Sequence, residues 1–375
     1  MIYQATVYSN VTKENTEGRL VYNDGDVINE RYRMRDLLGT GSFAQVIEVY
    51  DQEEKKTMAL KVVKNLPAYA DSANTEIKIL KKLAGGDSDK KNWIIHLNDH
   101  FEYKGHTCLL FDYLPYSVID FLELNKYQPF PMSQIRHIGW QVSNALDYMH
   151  DNGLTHADVK PENIMFVNGR SVQETVDGKP SRVLVNSQIK LIDMGSCYSD
   201  EEDHPPNVTT RHYRSPEMII GMDWSQPVDL WALGCLLYEL YTGKLLFKTK
   251  EDKEHLAMIE LVLGKIPTRM ADRSESNLFV NGQLDWSEHS NAHALLKRKC
   301  QRLHLAMTGE DREHMEVFSV MKAMLKIDPS DRITVKDALA HAFYARLPEN
   351  LRAPPTTIST PSEASTASTT SEDDE

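Results

Sequence analysis

His156-Ala157-Asp158-Val159-Lys160-Pro161-Glu162-Asn163 sets a carboxylate, a cation and an amide within one short loop. Asp158 is suited to orient an attacking hydroxyl and accept its proton, Lys160 to offset charge on a transferring phosphoryl group, and Asn163 to hold a metal ion. Ile192-Asp193-Met194-Gly195 follows and supplies a further oxygen ligand. That donor suits Mg2+, a hard cation that bridges phosphates. Ahead of both loops, Gly39-Thr40-Gly41-Ser42-Phe43-Ala44-Gln45-Val46 lies between two strand-like runs. A phosphate-covering hairpin belongs in that position, and a dinucleotide-binding strand-to-helix turn does not. Met58-Ala59-Leu60-Lys61 then puts a lysine near the end of a strand, with Glu76 on a following helix as its pairing partner. Alone, these last features describe an ordinary glycine hairpin and two solvated charges. In this order and spacing, with the two loops, they imply phosphoryl transfer.

Outward from these motifs the chain changes character. Tyr32–Leu38, Ala44–Tyr50, Thr57–Lys64 and Thr107–Asp112 read as short strands broken by glycine or polar turns, interrupted by one helix over Ser72–Leu83. Gly85-Gly86 supplies the stop for that helix. From about Leu114 the periodicity is helical. Ile135, Ile138, Val142, Leu146 and Met149 form one stripe behind an expected Ser133 N-cap, and Pro227–Tyr241 is apolar on nearly every face, as a helix at a domain centre must be. From about Ala353 the chain holds almost only Ser, Thr, Pro, Ala and acidic residues, too little apolar surface to offset ordering entropy.

At 375 residues and 41% hydrophobic, the chain can bury a large core. It has no apolar run of the roughly eighteen residues that a membrane helix needs, and its start lacks a basic-then-apolar leader, so neither membrane insertion nor secretion is expected. Cys108, Cys197, Cys235 and Cys300 form no CxxC pair, which suggests neither zinc nor disulfides and fits a reducing compartment. The net charge of −13 opposes general nucleic-acid affinity and permits attraction to basic partners.

These motifs resemble those of the eukaryotic protein kinases, over Asp24 to Leu347. Arg214-Ser215-Pro216-Glu217 looks like the end of an activation segment, Asp229-Leu230-Trp231 like the central anchoring helix, and Arg332 like the late arginine that pairs with Glu217. Tyr213-Arg214-Ser215-Pro216-Glu217, with an insertion at about 264–313, looks like the CMGC group. The LAMMER (CLK) family is closer still. Glu254-His255-Leu256-Ala257-Met258-Ile259-Glu260 is similar to that family's signature, and Thr210-Arg211-His212-Tyr213-Arg214, Trp224-Ser225-Gln226-Pro227, Leu284-Asp285-Trp286-Ser287-Glu288-His289 and an insertion at about Asn168–Ser187 resemble its other segments.

The resemblance implies an α+β, two-lobed kinase fold over 31–347. The β-rich N-lobe would cover about 31–112 and the α-rich C-lobe about 113–347, between an extension at 1–30 and a disordered tail at 348–375. It implies Mg-ATP as co-substrate. Leu38, Val46 and Ala59 would roof the adenine with Gly39, Thr40, Gly41 and Ser42 over the phosphates, Met165 would floor it, Phe111 would guard the back, and Leu114 would offer a backbone amide. Lys61 and Glu76 would position the phosphates, Asn163 and Asp193 would hold Mg2+, and Asp158 and Lys160 would carry the transfer. The acceptor would be Ser or Thr, with Tyr in autophosphorylation. Expected partners are basic Arg/Ser-rich proteins such as splicing factors, met by a monomer in the nucleus or cytoplasm without direct nucleic-acid or membrane contact. Glu162 is a candidate for the substrate arginine, or simply a solvated loop residue. Glu254–Glu260, His156 and Cys197 read as structural.

The sequence departs from the kinase pattern at Ala44 for the third glycine, Met194 for the usual Phe, and Ala157 for the arginine that commonly precedes the catalytic aspartate. Thirty residues precede Arg31, where LAMMER kinases commonly carry a long Arg/Ser-rich extension. A pseudokinase scaffold is the rival from another class. A direct RNA-binding factor would need an aromatic-basic motif that the sequence lacks. Ala157 has no charge to neutralise, so activity is expected to be independent of activation-segment phosphorylation. In that reading Asp200-Glu201-Glu202-Asp203 lends permanent negative charge to nearby cations, while Thr209 and Thr210 stand as the available acceptors.

Overall fold

A computed structural model describes residues 18–86, 92–176, 178–206 and 208–354. The first lobe is a six-stranded antiparallel sheet built from β1 (Val27–Ile28), β2 (Tyr32–Thr40), β3 (Ala44–Asp51) and β4 (Lys56–Val63), then, after helix α1 (Pro67–Gly85), β5 (Asp99–Tyr103) and β6 (His106–Asp112). The strand order is β1-β2-β3-β4-β6-β5. Alternation along β4 decides which face each residue serves. Met58, Leu60 and Val62 join Ile28, Tyr32, Met34, Ile47 and Val49 in one apolar cluster, whereas Val63 packs with Ala73, Ile77 and Leu80 of α1. Lys61, out of phase with the first set, is thereby turned toward the helix.

Helix α1 begins earlier than the expected Ser72. Pro67 occupies its first turn, where a missing N–H removes no helical bond. The segment read as an N-terminal extension contributes to the lobe, since Leu20 is buried in the sheet's cluster and β1 pairs with β2. Residues 1–17 of that segment lie outside the described residues.

The second lobe opens with β7 (Tyr116–Ser117), α2 (Val118–Leu124) and α3 (Met132–Asp151). Ser133 does not cap α3. Pro131 holds the N-cap position without a side-chain hydrogen bond, and Ser133 lies exposed inside the first turn. Ile135, Ile138, Val142, Leu146 and Met149 are buried as their spacing requires. Next come β8 (Leu154–Thr155), β9 (Ile164–Phe166), a hairpin of β10 (Ser171–Val176) and β11 (Lys179–Leu184), β12 (Ile189–Leu191) and β13 (Tyr198–Ser199). That hairpin is the insertion expected at Asn168–Ser187. Asn125 at the end of α2 exchanges two hydrogen bonds with the Arg182 backbone, at 2.8 and 3.1 Å, and so docks it.

Short α4 (Pro216–Ile219) leads to α5 (Pro227–Thr242), which the rest of the lobe surrounds, with Val228 to Leu237 all buried. Gly243 ends α5 in the left-handed region, φ 69°, and a Cβ there would fall 1.9 Å from the Tyr127 carbonyl oxygen, so only glycine fits. Helix α6 (Asp252–Leu263) carries Glu254–Glu260 as an internal brace, with His255, Leu256 and Ile259 fully buried. The insertion at 264–313 contains α7 (Thr268–Ala271), the hairpin β14 (Phe279–Val280) with β15 (Gln283–Leu284), and α8 (Asn291–Lys299), before α9 (Arg312–Met324) packs against α5. The chain stays packed past 347. The Leu351 carbonyl accepts a hydrogen bond from His137, and the tail read as disordered lies outside the described residues only from 355. No helix among the described residues is long and apolar enough to cross a membrane.

Candidate active site

Three pieces of backbone bring the chemistry together. The Lys61 ammonium lies 2.8 Å from both carboxylate oxygens of Glu76 and 3.0 Å from Oδ1 of Asp193. This triad ties the sheet, α1 and the C-lobe into one unit. Burial would lower the Lys61 pKa, but Glu76 and Asp193 outweigh it and hold the ammonium above its usual range. In return, Lys61 holds the Asp193 carboxyl below the usual carboxylate range despite burial. Both groups are therefore charged wherever the protein is folded near neutrality.

The second piece is the loop after β8. The Asp229 carboxylate, fully buried on α5, accepts the backbone N–H of His156 at 2.9 Å and of Ala157 at 2.8 Å, with His150 Nε2 at 2.9 Å. These bonds fix Ala157 in the left-handed region, φ 61°. His156 sits inside the turn. Its Nδ1 accepts from the Asp158 N–H at 3.2 Å, which leaves Nε2 to donate to the Ile192 carbonyl at 3.1 Å. Asp158 then receives Lys160 Nζ at 2.6 Å, Asn163 Nδ2 at 3.2 Å and the Thr210 hydroxyl at 2.7 Å.

The third piece is register. β9 pairs with β12 so that Leu191 faces Ile164, and the Ile192 N–H donates to the Asn163 carbonyl at 2.9 Å. Asn163 and Asp193 are thus adjacent, with Asp193 held at φ 66° and Met194 buried behind it. A divalent cation fits this donor set. Asn163 Nδ2 is engaged with Asp158, which directs its amide oxygen away from that bond, and Asp193 spends only Oδ1 on Lys61. Two oxygen donors completed by phosphates suit Mg2+, and no cluster of three His, Cys, Asp or Glu able to hold a metal occurs among the described residues.

Above the loop, Gly39 and Thr40 end β2, and the Gly41 N–H closes the turn onto the Ala44 carbonyl at 2.8 Å. Neither Gly39 nor Gly41 has a positive φ, and a Cβ would meet nothing at Gly39 and nothing nearer than 3.7 Å at Gly41. The chain itself does not require glycine there, so close approach of a ligand to the backbone is the remaining physical reason. Val46, Ala59, Phe111, Leu114 and Met165 are half-buried and Leu38 is 42% exposed, as the walls of an open cleft are. Phe111 lies directly opposite Ala59 in the sheet.

The activation segment differs from expectation. Thr209 is buried against Met218, and Thr210 bridges Lys160 and Asp158, so neither is freely available as an acceptor. Among the described residues, Asp200-Glu201-Glu202-Asp203 form no ion pair, and Asp200 accepts instead from Gln226. Order comes from packing. Ala157, Met218, Trp224 and Val228 form a small apolar cluster, and His204 stacks on Trp224 with ring centroids 4.4 Å apart. Arg211 pairs with Asp252, and Arg332 grips buried Glu217 through two bonds of 2.6 and 2.9 Å, as the sequence suggested. Burial pushes the Cys197 thiol well above its usual range, which makes it inert. Sequence reading missed the hold of Thr210 on the catalytic loop, and the buried carboxylate of Glu239, which accepts the Tyr213 hydroxyl at 2.5 Å. Neither carries a local signal.

The model for the protein kinase domain matches residues 32–344. The probable dual specificity protein kinase madd-3 of Caenorhabditis elegans is 48% identical over 91% of this chain, which spans 39% of that protein. Human dual specificity protein kinase CLK2 is 40% identical over 89% of this chain and 68% of its own length. A crystal structure of a kinase domain superposes with a TM-score of 0.79 at 32% identity, covering 87% of this chain and 99% of the other.

Proposed function

Because this chain belongs to the protein kinases, among the CLK-type dual-specificity enzymes, we propose that it transfers the γ-phosphoryl group of Mg-ATP to protein serine and threonine, and to tyrosine in autophosphorylation. The observation that carries this is the pair of side-chain groups Glu76–Lys61–Asp193 and Asp158–Lys160–Asn163, brought together by the backbone bond from Ile192 to Asn163. Lys61, oriented by Glu76, contacts the α- and β-phosphates. Asn163 and Asp193 would hold Mg2+, which would neutralise phosphate charge. Asp158 orients the acceptor hydroxyl and takes its proton, and Lys160 offsets charge on the group in transit. Ala44, Ala157 and Met194 remove none of these groups, which weighs against a pseudokinase scaffold.

The proposed substrates are basic, Arg/Ser-rich proteins such as splicing factors, which would place the chain's work in the nucleus or cytoplasm. Glu162 is exposed beside Asn163, and its charge reaches the buried Glu239, whose pKa burial pushes up to about 7. An exposed carboxylate beside the catalytic loop can receive a guanidinium, and the charge on Glu239 behind it would add to the pull. Peptide arrays phosphorylated by the purified chain test both levels. No transfer to any peptide rejects the kinase reading, whereas equal turnover of acidic, neutral and Arg-flanked serines, or an unchanged preference in Glu162→Gln, rejects only the substrate class.

A further inference from the structure

The segment before β1 reaches the tip of the glycine hairpin. Arg19 donates from Nη2 to the Gly41 carbonyl at 2.8 Å and from Nη1 to the Ala44 carbonyl at 3.3 Å, the two residues whose mutual bond closes the turn. The strap carrying Arg19 is itself fixed. Leu20 is buried in the sheet's apolar cluster, its carbonyl accepts the buried Gln45 side-chain amide at 2.9 Å, and the Gly18 carbonyl accepts the Asn65 N–H at 2.9 Å. Gly41 has no side chain and an ordinary φ, so within the hairpin only its bond to the Ala44 carbonyl holds it, and Ala44 stands where the kinase pattern has a third glycine.

We infer that Arg19 is a positioning residue for nucleotide phosphates: bonded to the Gly41 and Ala44 carbonyls, it fixes the turn and, through the Gly41 peptide plane, holds the Ser42 N–H on the opposite side, ready for a phosphate oxygen. A peptide plane has its C=O and N–H on opposite sides, so fixing a carbonyl fixes the direction of the amide that follows. Holding a flexible glycine turn beforehand also reduces the entropy lost when phosphates bind. The positive guanidinium makes these bonds charge-assisted. The inference rests on the ATP-binding reading above.

Steady-state kinetics and equilibrium binding of ATP and adenosine to the full chain and to Arg19→Ala test it. Arg19→Ala is expected to raise KM for ATP about three- to ten-fold, the size of two partly exposed hydrogen bonds, with kcat within about two-fold. Adenosine affinity should not change, because adenosine lacks phosphates. Arg19→Lys, keeping charge and one donor, should recover part of the loss. Equal weakening of ATP and adenosine would mean general loosening of the lobe and would overturn the inference, as would unchanged ATP binding. Should Arg19→Ala fail to fold, the same ATP-against-adenosine comparison in Arg19→Lys and Arg19→Gln decides, since both keep a long polar side chain on the strap and remove donors from the Gly41 and Ala44 carbonyls. A wild-type chain that binds no ATP would instead overturn the kinase reading beneath it.

Discussion

The catalytic loop and the glycine hairpin are held in opposite ways. The loop hangs on Asp229, a carboxylate with no exposure that takes two backbone N–H groups and a histidine. Charge-assisted bonds of that kind contribute about 1.5–3 kcal/mol each, enough to keep Ala157 in a left-handed conformation that costs about 1–3 kcal/mol. The hairpin has Leu38 at 42% and Phe43 at 56% exposure and is held at its tip by Arg19 and by an edge-on contact of Phe43 with Tyr69, centroids 5.1 Å apart. Atoms that react are fixed by buried charge. Backbone that covers a nucleotide, and must open for its exchange, is fixed by contacts that cost little to break.

The contrast breaks if the loop tolerates loss of its anchor. Asp229→Ala strands two buried N–H groups, and a stability loss of about 3–5 kcal/mol in denaturant unfolding is expected, with activity abolished. An Asp229→Ala protein as stable as wild type would show that the loop holds itself.

Helix α5 carries a second buried carboxylate, Glu239, which accepts the Tyr213 hydroxyl. Burial pushes the Glu239 pKa up to about 7, which favours the protonated form below that pH and the charged form above it. Preference for Arg-flanked over neutral peptides should therefore rise by up to roughly ten-fold between about pH 6 and about pH 8, and Glu239→Gln should flatten the rise. A preference constant with pH in wild type would remove Glu239 from substrate recognition.

At the hairpin the expected effects are smaller and fall on binding. Gly41→Ala meets only the Ala44 carbonyl oxygen at 3.7 Å, an ordinary contact, at an ordinary φ, so stability should change by less than about 1 kcal/mol while KM for ATP rises about three- to ten-fold. A large stability loss would show that the tip is as tightly built as the loop. Least affected should be phosphatase-treated enzyme. Apolar packing of Ala157, Met218 and Trp224 orders the activation segment, so a change below about two-fold in steady-state rate is expected, and a Thr209→Ala/Thr210→Ala variant separates phosphate from the structural bonds that Thr210 makes.

What could be read from sequence follows the same division. The positions of Asp158, Lys160, Asn163 and Asp193 were legible because short loops with fixed spacing carry them, and that of Lys61 because it stood near the end of a strand with Glu76 on the helix that follows. The sheet and the apolar centre of α5 were legible from periodicity. The start of α1 at Pro67 and the cap at Pro131 were not, because packing outweighed the local preference for Ser at such positions. Thr210 on Asp158 spans 52 residues and Arg19 on Gly41 spans 22. Contacts of that range leave no pattern in either segment. The acidic run misled for a related reason, since charge along the sequence says nothing of which cations the fold brings near.

The most direct test of a site built for transfer separates binding from chemistry in Asp158→Ala. Single-turnover phosphorylation of an Arg-flanked serine peptide should fall roughly a hundred- to ten-thousand-fold, while ATP affinity, measured on the same preparation, stays within about three-fold of wild type. Transfer at an undiminished rate in a correctly folded Asp158→Ala protein, or no transfer by the wild-type chain despite tight ATP binding, would contradict it.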